Sequence, residues 1–288
     1  MRKIIGIGES ILDIIFRNGQ PERATPGGSV FNCMVSLSRC NIPAIFISEL
    51  GNDKVGKLIK KFMKKNGLNT DHIYTFDDGA SPVSLAFLDT NGDAEYQFFT
   101  DYPEKRLQSA FPEINEDDLL IIGSYFAVNP VLRQKLIEFL NQASKNKSII
   151  YYDINFRKAH TAERNDLMPA FLENFQYADI VRCSDEDLEN LGNPDVGWFC
   201  DNFIITRGEN EISLHTPMFK KNYCVDKIKS ISTIGAGDNF NAGILYGIVK
   251  ENISRTDLQH LSEKLWDKLI DYGKRFAQAV CLSNENYI

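Results

Sequence analysis

The amino-acid sequence predicts a three-layer α/β fold, a mainly parallel sheet covered by helices on both faces, with a small β-sheet lid set outside it. Three observations lead there. The 288 residues suit one large α/β unit with a small appendage. Short apolar runs alternate with longer amphipathic ones, the pattern of strands and crossover helices. One stretch breaks that rhythm with strict two-residue alternation on either side of an Asn-Gly pair.

Taken in order, the main-sheet strands are expected at residues 3–8, 44–49, 119–123, 148–153, 179–182 and 203–206. Between the first pair and the third strand, Val55, Leu58, Ile59, Phe62 and Met63 share one helical face and leave Lys57, Lys60, Lys61, Lys64 and Lys65 to water. That basic run reads as a solvated face rather than a polyanion site. In the irregular stretch Val83, Leu85 and Phe87 alternate, Asn91-Gly92 supplies the turn, and Ala94, Tyr96 and Phe98 alternate again. A hairpin alone is not stable, so residues 11–16 are expected to join it. The lid then comprises about residues 11–26 and 82–104, the alternative being an edge of the main sheet. Its apolar outer face offers a surface to a second copy of the chain. With no internal repeat and no low-complexity linker, residues 1–288 read as one domain.

Composition narrows the functions. Apolar residues make up 43% and charged residues 25%, the balance of an ordinary globular protein. A formal net charge of −7 argues against non-specific nucleic-acid binding, which needs an excess of Lys and Arg. The six cysteines show no C-x-x-C spacing and the four histidines are scattered, so neither a zinc site nor a disulfide framework is expected, and a reducing cytoplasm is. Glycines and acids interrupt the first apolar run, which reads as a strand and not a signal peptide, and no run of about 18 apolar residues suggests a membrane span.

The strongest chemical signal is the string from Thr233 to Gly243, T-I-G-A-G-D-N-F-N-A-G, ahead of a periodic stretch with Phe240, Ile244, Leu245 and Ile248. Glycines here let successive amides face outward at a helix start, where the helix dipole also favours an anion. A carboxylate on such a turn opposes phosphate binding unless it must accept a proton beside a transferring phosphoryl group, which makes Asp238 the expected general base.

This string resembles the C-terminal signature of the ribokinase-like carbohydrate kinases, also called the PfkB family, in which Gly235, Ala236 and Gly237 would form the anion hole beside the catalytic Asp238. Gly27-Gly28-Ser29-Val30-Phe31-Asn32 is similar to the family's N-terminal G-G-x-x-x-N, and Gly8 to Asp13 to its first strand with a sugar-binding Asp. The resemblance implies a ribokinase-like, Rossmann-like fold and a sugar site at Asp13, Gly27, Gly28 and Asn32. Chemically, a carboxylate accepts two hydroxyl hydrogens and an amide both gives and accepts, as a polyol requires. Asp153-Ile154-Asn155-Phe156-Arg157 resembles D-P-N-x-R, which would bring Asn155 and Arg157 to the acceptor site. The segment from Thr206 to Asn210 resembles the T-x-G stretch that approaches ATP, implying nucleotide contacts at Thr206 and Gly208, with Ser184, Gly237 and Asn239 on the same side.

Departures from the pattern are specific. The family's N-x-x-E element, tied to magnesium, stands here as Ser184-Asp185-Glu186-Asp187, leaving Asp187 as the expected Mg²⁺ residue. Ser232 replaces the Asp before T-T-G, which weakens any carry-over of a monovalent cation (K⁺) site. Glu211 occupies the place of a final glycine. The reading is an ATP-dependent sugar kinase, with fructokinase favoured by the Ser184-Asp185 variant. Ribokinase, a ketodeoxysugar kinase and a nucleoside kinase stay open, as does a sugar sensor that kept the fold and lost catalysis. A nicotinamide enzyme, suggested by Gly6-x-Gly8, lacks the third glycine before a helix.

Overall fold

The computed structural model describes residues 2–88, 94–194 and 200–288. In chain order, β1 (Ile4–Ile7), β2 (Ile11–Arg17) and β3 (Gln20–Gly27) precede α1 (Ser29–Arg39), β4 (Ala44–Gly51), α2 (Lys54–Lys65) and β5 (Ile73–Phe76). Then come β6 (Ala80–Leu88), β7 (Ala94–Asp101), β8 (Leu119–Gly123), α3 (Arg133–Lys145), β9 (Ile149–Asp153), α4 (Arg164–Tyr177), β10 (Ile180–Ser184) and α5 (Asp185–Asn190). The remainder holds β11 (Asn202–Arg207), β12 (Glu211–His215), β13 (Lys220–Cys224), α6 (Ala236–Lys250), α7 (Arg255–Leu258) and α8 (Glu263–Cys281).

The described residues form two sheets. The larger has nine strands in the order β13-β12-β11-β10-β9-β8-β1-β4-β5, parallel from β11 through β5 and antiparallel at β12 and β13. Alternate residues of its central strands enter opposite cores, which is why these strands read as continuous apolar runs. Leu119 and Ile121 of β8 pack with α1, α6 and α8, whereas Leu120 and Ile122 pack with α3 and α4. The three layers expected from the sequence are therefore present. Each strand expected there is observed; β5, β12 and β13, short and partly polar, were not anticipated.

The smaller sheet has the order β3-β2-β6-β7 and is separate from the larger one, not an edge of it. Asp13, Ser84 and Phe98 lie in register, as do Ile15, Ala86 and Tyr96. The other face carries Leu12, Ile14 and Phe16 opposite Val83, Leu85 and Phe87. The Asn91-Gly92 turn lies outside the described residues. In α2 the lysine face is as expected, with one correction: Leu58 is 47% exposed, because it sits one step round the helix from the buried Ile59 and falls among the lysines. No described helix is long and apolar enough to cross a membrane.

Candidate active site

The carboxyl ends of parallel strands in an open α/β sheet form a natural crevice. Here β1 ends before Glu9, β9 at Asp153, β10 at Ser184 and β11 at Thr206–Arg207, and the smaller sheet enters and leaves the body at the same end. Into this crevice points the N-terminus of α6. Gly235 caps it at φ 81°, a left-handed conformation that suits glycine, and no side chain caps the helix; the Ala236 amide donates to Thr233 O at 3.2 Å, and the amides of Gly237 and Asp238 that follow face an anion as helix-start donors do.

Asp238, in the first turn of α6, is buried. Burial pushes its carboxyl up to about 6, against the opposing pull of the Asn32 amide; nearby Asp153 adds to the rise and Arg157 counters it. Asn32 Nδ2 donates to Asp238 Oδ2 at 2.8 Å. A buried carboxylate poised near neutrality suits a proton acceptor.

The expected sugar residues converge on the same place from the small sheet and α1. Asp13 on β2 accepts a hydrogen bond from Ser84 Oγ. Burial raises its carboxyl to about 7, and the charges of Glu9 and Asp238 add to that rise. Gly27 is the floor against Asp13: a Cβ there would come 2.1 Å from Oδ2. Gly28 opens α1, whose Asn32 keeps a buried Oδ1 with no protein partner among the described residues. Asn155 is buried just beyond β9 at φ 39°, and Arg157 stands half exposed, 3.9 Å from Glu186.

On the nucleotide side the placement is mixed. Thr206 ends β11, and Gly208 (φ 51°) follows it with open space around its Cα. Ser184 caps α5, accepting from Asp187 N while Asp187 Oδ2 takes hydrogens from Ser184 N and Oγ. Asp187 Oδ1 accepts from Phe156 N at 2.7 Å. Three of about four acceptor sites on this carboxylate are thus used. Asn239 needs correction as a nucleotide contact. It is fully buried, its Nδ2 donates to Gly235 O and Asn286 O, and its Oδ1 accepts from Ser36, so it braces the anion turn from behind.

Several participants were not foreseen. An aromatic row runs from the small sheet into the body: Tyr96 stacks on Phe98 at 5.8 Å, Phe98 on His160 at 6.2 Å, and His160 on Tyr125 at 4.0 Å. The alternation of Tyr96 and Phe98 was the available signal. Ser29 donates to Asp153, and Asp153 pairs with Arg182 of β10 at 3.1 Å. The segment after α8 clamps the turn to the small sheet: Arg23 donates to Asn284 O, and Tyr287 shares a hydrogen bond with Thr25 at 2.8 Å.

The sequence pattern of the pfkB family carbohydrate kinases matches residues 1–286. The chain belongs to this family. Among curated pfkB relatives, a probable fructokinase-4 of Arabidopsis thaliana is 25% identical, covering 91% of this chain and 87% of that protein. Fructokinase-1 of Zea mays is also 25% identical, over 91% of this chain and 88% of its own. Of solved structures, a double mutant of the fructokinase from Vibrio cholerae O395, in fructose, ADP and potassium ion bound form, superposes with a TM-score of 0.83 at 18% identity, covering 99% of this chain and 94% of that one. This pfkB carbohydrate kinase thus has the ribokinase-like fold that its motifs implied.

Proposed function

We propose that this pfkB kinase is a cytoplasmic fructokinase that transfers the γ-phosphoryl group of ATP to a fructose hydroxyl. The observation that carries the chemistry is Asp238, a buried carboxyl raised to about 6 at the uncapped start of α6 and held by Asn32. In the step, the sugar oxygen forms a bond to the γ-phosphorus as the bond to the bridging oxygen breaks. The hydroxyl proton passes to Asp238, and the leaving electron pair stays on the terminal phosphate of ADP. The amides of Gly235 and Gly237 stabilise the equatorial oxygens, joined by that of Ala236 when it exchanges its bond to Thr233 O, while Asp13, Asn32, Asn155 and Arg157 hold the sugar. Thr206, Gly208 and Ser184 lie on the nucleotide side.

Asp187 would hold magnesium carried in with ATP, and the ion would supply neutralisation of phosphate charge. Fructose is favoured because the curated relatives reported above are fructokinases. Potassium dependence is an open variable that the Vibrio neighbour's bound ion makes worth measuring.

The small sheet acts as a lid over the sugar, with Tyr96 and Phe98 lining its inner face. Phe16 stacks on Phe87 at 5.0 Å on the outer face, and Phe87 and Phe99 are 40% and 50% exposed, a surface suited to a second copy. Phe87→Ser with Phe99→Ser should convert a dimer to a monomer in light scattering.

ADP release should be measured against fructose, ribose, a ketodeoxysugar and a nucleoside, with magnesium and with or without potassium. Fructose is expected to give the highest kcat/KM. A different best acceptor overturns the specificity, and no release with any acceptor overturns catalysis.

A further inference from the structure

Resting on the kinase reading, we propose that Arg182 is a phosphate-contacting residue of this site, its guanidinium reaching the transferring phosphoryl group through the gap left by Gly237, with Asp153 as its positioning residue. Gly237 does not adopt a left-handed φ. Its lack of a side chain serves something else: a Cβ there would lie 2.9 Å from Arg182 Nη2 and 3.0 Å from Nη1. The second glycine of the anion turn is therefore what lets a buried cation approach that turn.

How Arg182 spends its hydrogens supports the same role. The residue is 6% exposed in the middle of β10, two residues before its carboxyl end at the crevice. One terminal nitrogen donates to Asp153 Oδ1 and the other to Thr206 Oγ1. A guanidinium has five N–H donors, so three remain without a protein partner among the described residues, and Nε is buried with none. Arginine–carboxylate pairs are frequently bidentate, with both oxygens engaged side by side. Here Asp153 gives its second oxygen to Ser29 at 3.0 Å, leaving the guanidinium under-used. Its position is also telling, since it touches Gly237 of the phosphate turn on one side and Thr206 of the nucleotide side on the other.

The charge balance of the crevice requires such a group. Asp13, Asp153, Asp187 and Asp238 all lie buried there, and a nucleoside triphosphate adds several negative charges. Arg157 is half exposed and shared with Glu186. A buried cation acts in low dielectric and is worth more to developing phosphate charge than an exposed one.

The test is calorimetry of AMP, ADP and ATP binding with wild type, Arg182→Lys, Arg182→Gln and Gly237→Ala, alongside melting temperature. AMP affinity should stay within threefold, while ADP and ATP affinity fall progressively, ATP by about 10- to 100-fold, the range for a charge-assisted hydrogen bond. Gly237→Ala should show the same ordering, because it displaces Arg182. Should Arg182→Gln fail to fold with Asp153 left unpaired, Arg182→Gln with Asp153→Asn removes both charges and takes its place. Folded variants whose three affinities are unchanged, or fall by one common factor, overturn the assignment and leave the kinase reading intact. Wild-type protein that binds none of the nucleotides overturns both.

Discussion

Asn32 gives its amide hydrogen to Asp238 Oδ2 at 2.8 Å and keeps its own Oδ1 buried without a partner among the described residues. The orientation is forced, because a carboxylate only accepts. One side chain thus steadies the base with its donor and offers its acceptor to a sugar hydroxyl.

Replacing that base tests its role most directly. Asp238→Asn keeps size but removes the proton acceptor, so turnover should fall by roughly 10²- to 10⁴-fold. ATP affinity should hold or rise, as repulsion of the γ-phosphate is relieved. Melting temperature, ATP calorimetry and turnover are compared; turnover within a few-fold of wild type in folded protein rejects the mechanism.

Two raised carboxyls make ligand binding depend on pH. Asp238 must be ionised to accept a proton, so turnover should decline as pH falls through about 6. Asp13, at about 7, accepts sugar hydroxyls through both oxygens and more strongly when charged, so sugar affinity should rise as pH increases toward about 7 and binding should release protons. Calorimetry at pH 6.5, chosen as roughly between the two, in buffers of different ionisation enthalpy reads that release directly. Identical heats in both buffers contradict it.

Stability should run the other way. Each carboxyl moves upward from its ordinary 3.8, to about 7 for Asp13 and about 6 for Asp238. The folded protein therefore binds more protons than the unfolded chain over that interval, and stability falls as pH rises through it. The contribution is complete below the ordinary value and lost above the folded ones. Asp13→Asn and Asp238→Asn should flatten the slope, each gaining in denaturation midpoint relative to wild type at pH 8 compared with pH 5, two points set roughly on either side of the window. Parallel profiles for wild type and both variants count against these shifts.

Gly27→Ala should act through Asp13, since the new methyl would begin 2.1 Å from Oδ2. Sugar KM should rise about tenfold or more, the cost of one hydrogen bond to a charged group, with ATP affinity unchanged. In an Asp13→Ala background the same substitution should add little, because the partner is gone. Additive losses in this double-mutant cycle mean that Gly27 acts elsewhere.

Much of this was legible in the chain because it is local. Period, turn glycines and the Thr233–Gly243 string gave the central strands, the helix start and Asp238. The exceptions are tertiary. Arg182 lies inside an apolar strand, and nothing nearby in sequence reveals that Gly237 will be set against it. Asn239 reads as a ligand beside Asp238, yet the helix turns it about 100° away, toward Ser36 and Asn286. Ser184-x-x-Asp187 carried a signal that was available and unused: the spacing is that of a capping box, which the structure shows. β12 and β13 alternate too weakly to be recognised outside their sheet.

The clamp formed by the segment after α8 also bears on how the molecule comes to exist. Tyr287 meets Thr25 across 262 positions, and Asn286 meets Asn239 and lies against Gly235, which a Cβ would bring within 2.6 Å of its carbonyl oxygen. Contacts of such separation close only after the intervening chain has collapsed, since loop-closure entropy opposes them until other structure shortens the path. The parallel sheet and its helices can assemble while the anion turn still lacks its rear support. Catalytic competence is then a late event in folding, arriving after most of the secondary structure has formed.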